Sequence, residues 1–484
     1  MKSYEKHKRT GISNYNLQTA LKKIIYDRKD SIAFVTAKEQ VSYREVAIQI
    51  ERQYDEYRSR NVRRIALCMS NSIEFCIQLL TAIIYLDEIF IIPPLWDDQI
   101  IGQICKDNEI HALIMDKDKK IFYDNTYVAE FRNDVEVILF TSGTMYTPKG
   151  VVLTSENLYS NALAAIDCIK YTKTDRILVT KPLYHSYGLT VEFIAGMLVG
   201  AEFYLDSGLF NVNKVAKIMM KREITVWCTV PTLIFLFVDK NMSIPNSLRI
   251  IAVGGARATE TLLKKARNFW APIPVIQMYG LTEAGPLVTC TPFDLPAEKI
   301  KSIGKPVKGV NLEIRDKEDR LINTPEVSGE LVVKSKGVMK GYLNDETATQ
   351  KVKRNGRLYT GDICYFDIDN YYYIQDRNDS MIVRDGINIY CSEIENVLME
   401  LDEIEQISII GIEDTMHSQI AIAFIKADVS IERLKIISWC RDKGVSPPDD
   451  VIFVDNLPYN DNGKVDITKL KAIYYEHTKG AQNE

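Results

Sequence analysis

The chain has 484 residues, 46% hydrophobic and 26% charged, a composition that excludes a disordered or membrane-embedded protein and a length that calls for two or more domains. A formal net charge of -5 supplies no field to hold a polyanion, so nucleic acid is not an expected partner. Nine cysteines, with no CxxC pair and no His/Cys cluster of metal-ligand spacing, read as reduced, mostly buried thiols.

The basic start, MKSYEKHKRT, is not followed by an apolar core, so no secretory signal is expected and the protein is placed in the cytoplasm. The longest apolar stretch, near Leu79 to Pro93, is interrupted by Asp87 and Glu88. It reads as a helix followed by a buried strand, not as a membrane span.

From about Ile32 to Cys290, β-rich apolar runs alternate with helical patterns, as at Arg64 to Met69, Arg176 to Thr180, Thr225 to Val230 and Leu248 to Val253. This alternation predicts α/β layers with largely parallel sheets. Short strands with glycine-containing turns follow from Ser302 to Tyr373 and predict a β-rich subdomain. Beyond Arg377 the pattern returns to α and β elements, enough for a small second domain. The expected fold class is therefore α/β: a large domain over residues 1–378 and a small α+β domain over 379–484. Between them lies the polar run Asp376 to Ser380, which fits either a turn or a hinge.

Chemistry enters at Ile138 to Gly150, where an apolar strand runs into a loop of hydroxyls, glycine and lysine. Thr141, Ser142 and Thr144 can donate hydrogen bonds, Gly143 permits close backbone approach and Lys149 adds positive charge, a set suited to phosphate oxygens. By itself the loop also fits a polar hairpin. It is not the GxxxxGK[ST] loop, because Gly150 and Val151 follow the lysine.

Four further segments carry the argument. Pro182-Leu-Tyr-His-Ser-Tyr-Gly-Leu189 contains His185, one of five histidines. Leu248 to Ala256 ends a strand in Gly254-Gly255-Ala256, where glycine lets backbone pack flat against a ligand. Gln277-Met-Tyr-Gly-Leu-Thr-Glu283 offers a π face, a hydroxyl and a hard carboxylate within five residues. Tyr359-Thr-Gly-Asp362 ends in a carboxylate able to bridge a vicinal diol. Taken singly, each also fits an ordinary turn or core position.

Taken together and in order, these segments resemble the adenylate-forming superfamily of acyl-CoA synthetases, nonribosomal-peptide adenylation domains and luciferases. The resemblance extends from about Val41 through Ser302-Ile-Gly-Lys-Pro306, Gly329-Glu330-Leu331 and Gly337 to Asn344, and ends at Leu457 to Asp466. It implies ATP and Mg²⁺ as cofactors, an organic carboxylic acid as substrate, and CoA or the phosphopantetheine of a separate carrier protein as acceptor.

Residue by residue, the resemblance assigns the nucleotide to Thr141, Ser142, Gly143, Thr144, Lys149, Gly255, Ala256, Gly280 and Thr282. Tyr279 would stack on adenine, while Asp362 and Arg377 would reach the ribose. Glu283 would help hold Mg²⁺. His185, Ser186, Tyr187, Gly254, Gly255, Gly280 and Leu281 would line the acid pocket, with His185, Thr282, Glu283 and Lys464 at the reacting groups. Asp379 falls at the family's hinge, Gly386 on the strand that lines the thiol path, and Ser392 at the N-cap of the next helix.

The sequence departs from the family pattern at Met145 and Tyr146 in the phosphate loop, at Ser155 where a histidine is common, at Arg257, and at Ile467 and Thr468. The charged positions are kept. Because the His185-Ser186-Tyr187 segment lacks the aspartate that pairs with an α-ammonium, the expected acid is aryl or aliphatic without an α-amino group. The expected reaction is formation of an acyl-AMP followed by transfer to CoA, with loading of a separate carrier protein as the alternative. A regulatory relative that binds nucleotide without turnover is the alternative of another class, and pyrophosphate release separates it from an enzyme.

Overall fold

The computed structural model describes residues 16–116, 119–123, 134–141, 148–205, 211–377, 381–384, 387–414, 418–427, 431–459 and 465–481. Among these residues, four sheets account for the strands. The apolar runs named above form strands Arg64–Cys68, Arg176–Val179, Val226–Thr229 and Ile250–Val253, each within two residues of its expected bounds.

A seven-stranded sheet has Arg64–Cys68 near its centre, paired in parallel with Glu88–Ile91 and Ala112–Met115. The stretch near Leu79 forms helix Ile73–Tyr85 and then strand Glu88–Ile91, as its interrupted hydropathy predicts. Most of that helix is buried on all sides, the state expected where apolar residues surround the axis, and Ser72 caps it by accepting from the Phe75 amide. No helix among the described residues is long and apolar enough to cross a membrane.

A nine-stranded sheet runs parallel through Arg176–Val179, Val226–Thr229, Ile250–Val253 and Val275–Gly280. There it turns antiparallel, with Leu287–Cys290 folding back on Val275–Gly280 and Lys305–Pro306 joining beyond it. Trp227, fully buried, packs its ring 4.7 Å from that of Phe237 in the core on one face.

The β-rich stretch forms a six-stranded antiparallel sheet containing Val310–Arg315, Gly329–Ser335, Arg357–Phe366 and Tyr372–Arg377. Not all of that stretch stays in it: Gly341–Tyr342 crosses to the seven-stranded sheet and pairs with Val151 and Val152. Within the C-terminal part, the long antiparallel pair Ile404–Asp414 and Ser418–Ala427 carries Asp450–Phe453 in parallel. Helices Cys391–Leu398 and Arg433–Asp442 close a core of this part's own.

Two expectations are corrected. Cys168 and Cys290 are joined as a disulfide that ties helix Ser155–Ile169 to strand Leu287–Cys290, while the other seven cysteines are buried free thiols. Helix Cys391–Leu398 begins one residue before Ser392, so Ser392 is not its N-cap; its hydroxyl instead donates to the Gln375 carbonyl at strand Tyr372–Arg377.

Candidate active site

Strand Val275–Gly280 and the turn after it deliver the central residues. Gly280 is dictated by packing: a Cβ there would lie 2.0 Å from the Pro286 carbonyl oxygen, which accepts from the Leu281 amide at 3.1 Å. Gly285, at φ +93°, ends the short helix Thr282–Ala284, and a Cβ on it would meet the Gly337 carbonyl at 2.5 Å. The tight turn places Thr282 and Glu283 directly after the strand that ends with Tyr279 and Gly280.

Each of the three touches a residue from another segment. The Tyr279 hydroxyl donates to Asp362 Oδ2. Burial first, and then the neighbouring carboxylate, hold that phenol well above its usual range. Thr282 Oγ1 lies 2.9 Å from Ser186 Oγ. Glu283 Oε1 accepts a 2.9 Å hydrogen bond from the Tyr342 hydroxyl, and the Lys149 ammonium sits 5.2 Å from the centre of the Tyr342 ring.

The Asp362 carboxylate is presented by a bulged stretch of strand Arg357–Phe366. Thr360 Oγ1 donates to the Leu331 carbonyl and accepts from the Asp362 amide, while the Gly361 amide, at φ +75°, donates to Glu330 Oε1. Opposite Asp362 in the sheet lies the backbone of Arg377.

The residues expected to line the acid pocket sit on two walls. Pro182 to Tyr187 leads into a π-helical stretch, Tyr187–Ile194, and the half-buried His185 ring stands edge-on to Tyr184 at 4.5 Å. Facing it, strand Ile250–Val253 ends at Gly254, whose amide donates to Thr229 O. Gly255, at φ +82°, is exposed and Ala256 is half-buried. The Tyr187 ring closes the space between: its hydroxyl donates to Ala252 O at 3.2 Å, and a Cβ on Gly254 would approach it to 3.1 Å.

Thr141 ends strand Glu136–Thr141, its Oγ1 3.5 Å from Lys149 O, and Lys149 is exposed at the start of the returning strand. Ser142, Gly143, Thr144, Met145, Tyr146, Asp379, Gly386 and Lys464 lie outside the described residues, as does the Arg377 side chain.

Buried polar residues with no place in the sequence argument hold these walls. Asn71 donates to Lys181 O at 2.7 Å and accepts from the Leu183 amide at 2.9 Å, clamping the segment that carries His185. Asn161, on a largely buried helix, accepts from the Leu287 amide and donates to Leu287 O, fixing the far side of the Thr282 turn. No local signal singles out Asn161, because its helix also carries Asn157, Ser160 and Asp167. Tyr342 lies in the Gly337 to Asn344 segment of the resemblance, but nothing local points to its partner Glu283, 59 positions away.

Residues 125–343 match the family model described as AMP-binding enzyme, and residues 393–464 match the AMP-binding enzyme C-terminal domain. Over 395 residues the chain is 30% identical to 2-succinylbenzoate–CoA ligase of Geobacillus sp. (strain WCH70), covering 80% of this chain and 78% of that protein. The chain belongs to the AMP-binding enzyme family. The same ligase from Bacillus subtilis (strain 168) is 31% identical over 337 residues, 69% of this chain and 68% of that one.

Solved structures of adenylate-forming enzymes share the fold. The o-succinylbenzoate CoA synthetase (MenE) of Bacillus subtilis, in complex with the acyl-adenylate intermediate OSB-AMP, superposes with a TM-score of 0.80 at 24% identity, over 91% of this chain and 96% of that one. ATP-bound MatB from Rhodopseudomonas palustris gives 0.84 at 21% identity, over 95% and 99%.

Proposed function

We propose that this AMP-binding enzyme activates a carboxylic acid with ATP, releasing pyrophosphate, and passes the acyl group from AMP to CoA. The observation that carries the reading is the rim at the end of strand Val275–Gly280, where Tyr279, Thr282 and Glu283 touch Asp362, Ser186 and Tyr342 from three other segments. Such a convergence suits an adenine face, a ribose acceptor and a phosphate-side carboxylate belonging to one nucleotide.

The residues present fit the nucleotide and its metal. Asp362 is a buried carboxylate and Thr282 offers a hydroxyl. Glu283, half-buried, is the carboxylate that would hold Mg²⁺, and the exposed Lys149 adds a cation on the same side. Bound there, Mg²⁺ would neutralise phosphate charge as the acid carboxylate approaches. Lys464 is assigned the bridging of the two anions, and Asp379 the turning of residues 379–484 between the two half-reactions.

The acid we favour is aromatic, with 2-succinylbenzoate the first candidate, since the Geobacillus and Bacillus subtilis relatives described above are ligases of that acid. CoA is the favoured acceptor for the same reason. The test is pyrophosphate release across 2-succinylbenzoate, other aryl acids, aliphatic acids and amino acids, with CoA or carrier proteins as acceptor. Release with an aryl acid and acyl-CoA as product is expected. Activity with amino acids alone, or transfer only to a carrier protein, would replace this assignment, and no release with any acid would reject the enzyme reading.

A further inference from the structure

Behind the Tyr187 ring lies a buried ion pair outside the residues assigned above. Lys181 Nζ is 3.4 Å from Glu192 Oε1, with side-chain exposures of 8% and 0%. Among the described residues, neither the ammonium nor the two carboxylate oxygens find a hydrogen-bond partner. The ammonium stands 3.5 Å from the centre of the Tyr187 ring, within cation–π range.

Backbone geometry produces this arrangement. Glu192 is five residues after Tyr187 in a π-helical stretch, whose i→i+5 hydrogen bonds keep the two on neighbouring turns; in an α-helix, residues five apart diverge around the axis. Gly188 brings the start of that helix against the strand exit, since a Cβ there would lie 2.8 Å from Pro182 O. Asn71 pins the Lys181 carbonyl from the other side.

A buried ion pair is a poor device for stability, because apolar side chains of the same volume serve as well or better. Its position supplies another reason for it. Tyr187 keeps part of its surface open while the pair beneath it is closed off, so the ring covers the charges. Its hydroxyl is tied to Ala252 O, its side rests on Gly254, and its face is held by the ammonium.

We infer that Lys181 and Glu192 are positioning residues of the acid pocket: they hold the Tyr187 ring against Gly254 and so determine which acids the pocket accepts. This inference rests on the acid-activating reading given above. Glu192 orients the ammonium, and the ammonium orients the ring. Without the cation the ring gains freedom to tilt toward the vacated side, the wall loosens, and larger acids gain relative to the preferred one.

The test uses the full chain and pyrophosphate release with 2-succinylbenzoate, or with the acid of the panel that reacts fastest. Lys181→Met should raise the KM for the acid about tenfold, while kcat and the KM for ATP stay within about twofold. In a Tyr187→Leu background, which has no ring to hold, Lys181→Met should add no further change. Where Lys181→Met alone does not fold, the apolar pair Lys181→Met/Glu192→Leu replaces it under the same criteria. An equal rise in the KM for ATP, or the same factor in both backgrounds, overturns the inference and leaves the acid-activating reading intact. A wild-type chain that neither releases pyrophosphate nor binds any acid of the panel by calorimetry overturns both.

Discussion

The Tyr279 hydroxyl donates a hydrogen bond to the Asp362 carboxylate across 83 positions of sequence, joining the nine-stranded sheet to the six-stranded one. The two residues assigned to adenine and ribose thus form one unit, and substitution at either tests it. Asp362→Ala should raise the KM for ATP about tenfold or more while the ranking of acids stays fixed, since a charged hydrogen bond contributes roughly 1.5 to 3 kcal/mol. Tyr279→Phe keeps the ring and loses only the tether, so its effect on ATP should be smaller. Initial rates across ATP concentrations check both, and an unchanged KM for ATP in Asp362→Ala would remove that residue from the nucleotide site.

Tyr342 holds Glu283, the carboxylate assigned to Mg²⁺, through a 2.9 Å hydrogen bond. Tyr342→Phe should raise the Mg²⁺ concentration for half-maximal activity several-fold, in keeping with about 1 kcal/mol for one such bond. The KM for the acid should not move. Mg²⁺ titration at saturating ATP provides the measurement.

Burial pushes the Glu192 carboxyl up to about 7, against the partial relief given by Lys181. A carboxylate whose folded pKa exceeds its unfolded value adds stability that is complete below the unfolded value and disappears as pH rises through the folded one. Wild type should therefore lose stability relative to Glu192→Gln between about pH 5 and pH 8, by on the order of 3 kcal/mol. The other groups facing Glu192 are the phenols of Tyr171 and Tyr187 and the thiol of Cys228, all pushed upward by burial and silent in that window. His111, which burial holds below its usual range, changes stability in the opposite sense but equally in both proteins. Urea midpoints of the pair at the two pH values isolate the difference, and parallel curves would contradict it.

Lys464 and Asp379 test the two half-reactions separately. Lys464→Ala should cripple acyl-AMP formation, by on the order of 3 kcal/mol or more, and largely spare thioester formation from supplied acyl-AMP. Asp379→Pro fixes φ near −65° in the run between the two parts of the chain and should spare adenylation while transfer to CoA falls steeply. Single-turnover kinetics of each half-reaction distinguish these outcomes, and wild-type transfer by a folded Asp379→Pro would make that run a simple turn.

The strands of the two large sheets could be read locally because a buried parallel strand is a short unbroken apolar run, as at Arg64–Cys68 and Ile250–Val253. Family membership was legible for a related reason: Tyr279, Gly280, Thr282 and Glu283 stand in one five-residue stretch whose chemistry needs all of them together. What tertiary structure alone decided are the contacts between stretches far apart. Nothing in either segment announces the pairing of Tyr279 with Asp362, Glu283 with Tyr342, Ser186 with Thr282, Cys168 with Cys290 or Lys181 with Tyr187. Strand Gly341–Tyr342 shows why: it lies in a β-rich stretch by pattern, yet it pairs with Val151 and Val152 of another sheet and so carries Tyr342 to Glu283. Periodicity records which face of an element is buried, while the partner against which it is buried depends on how the whole chain packs.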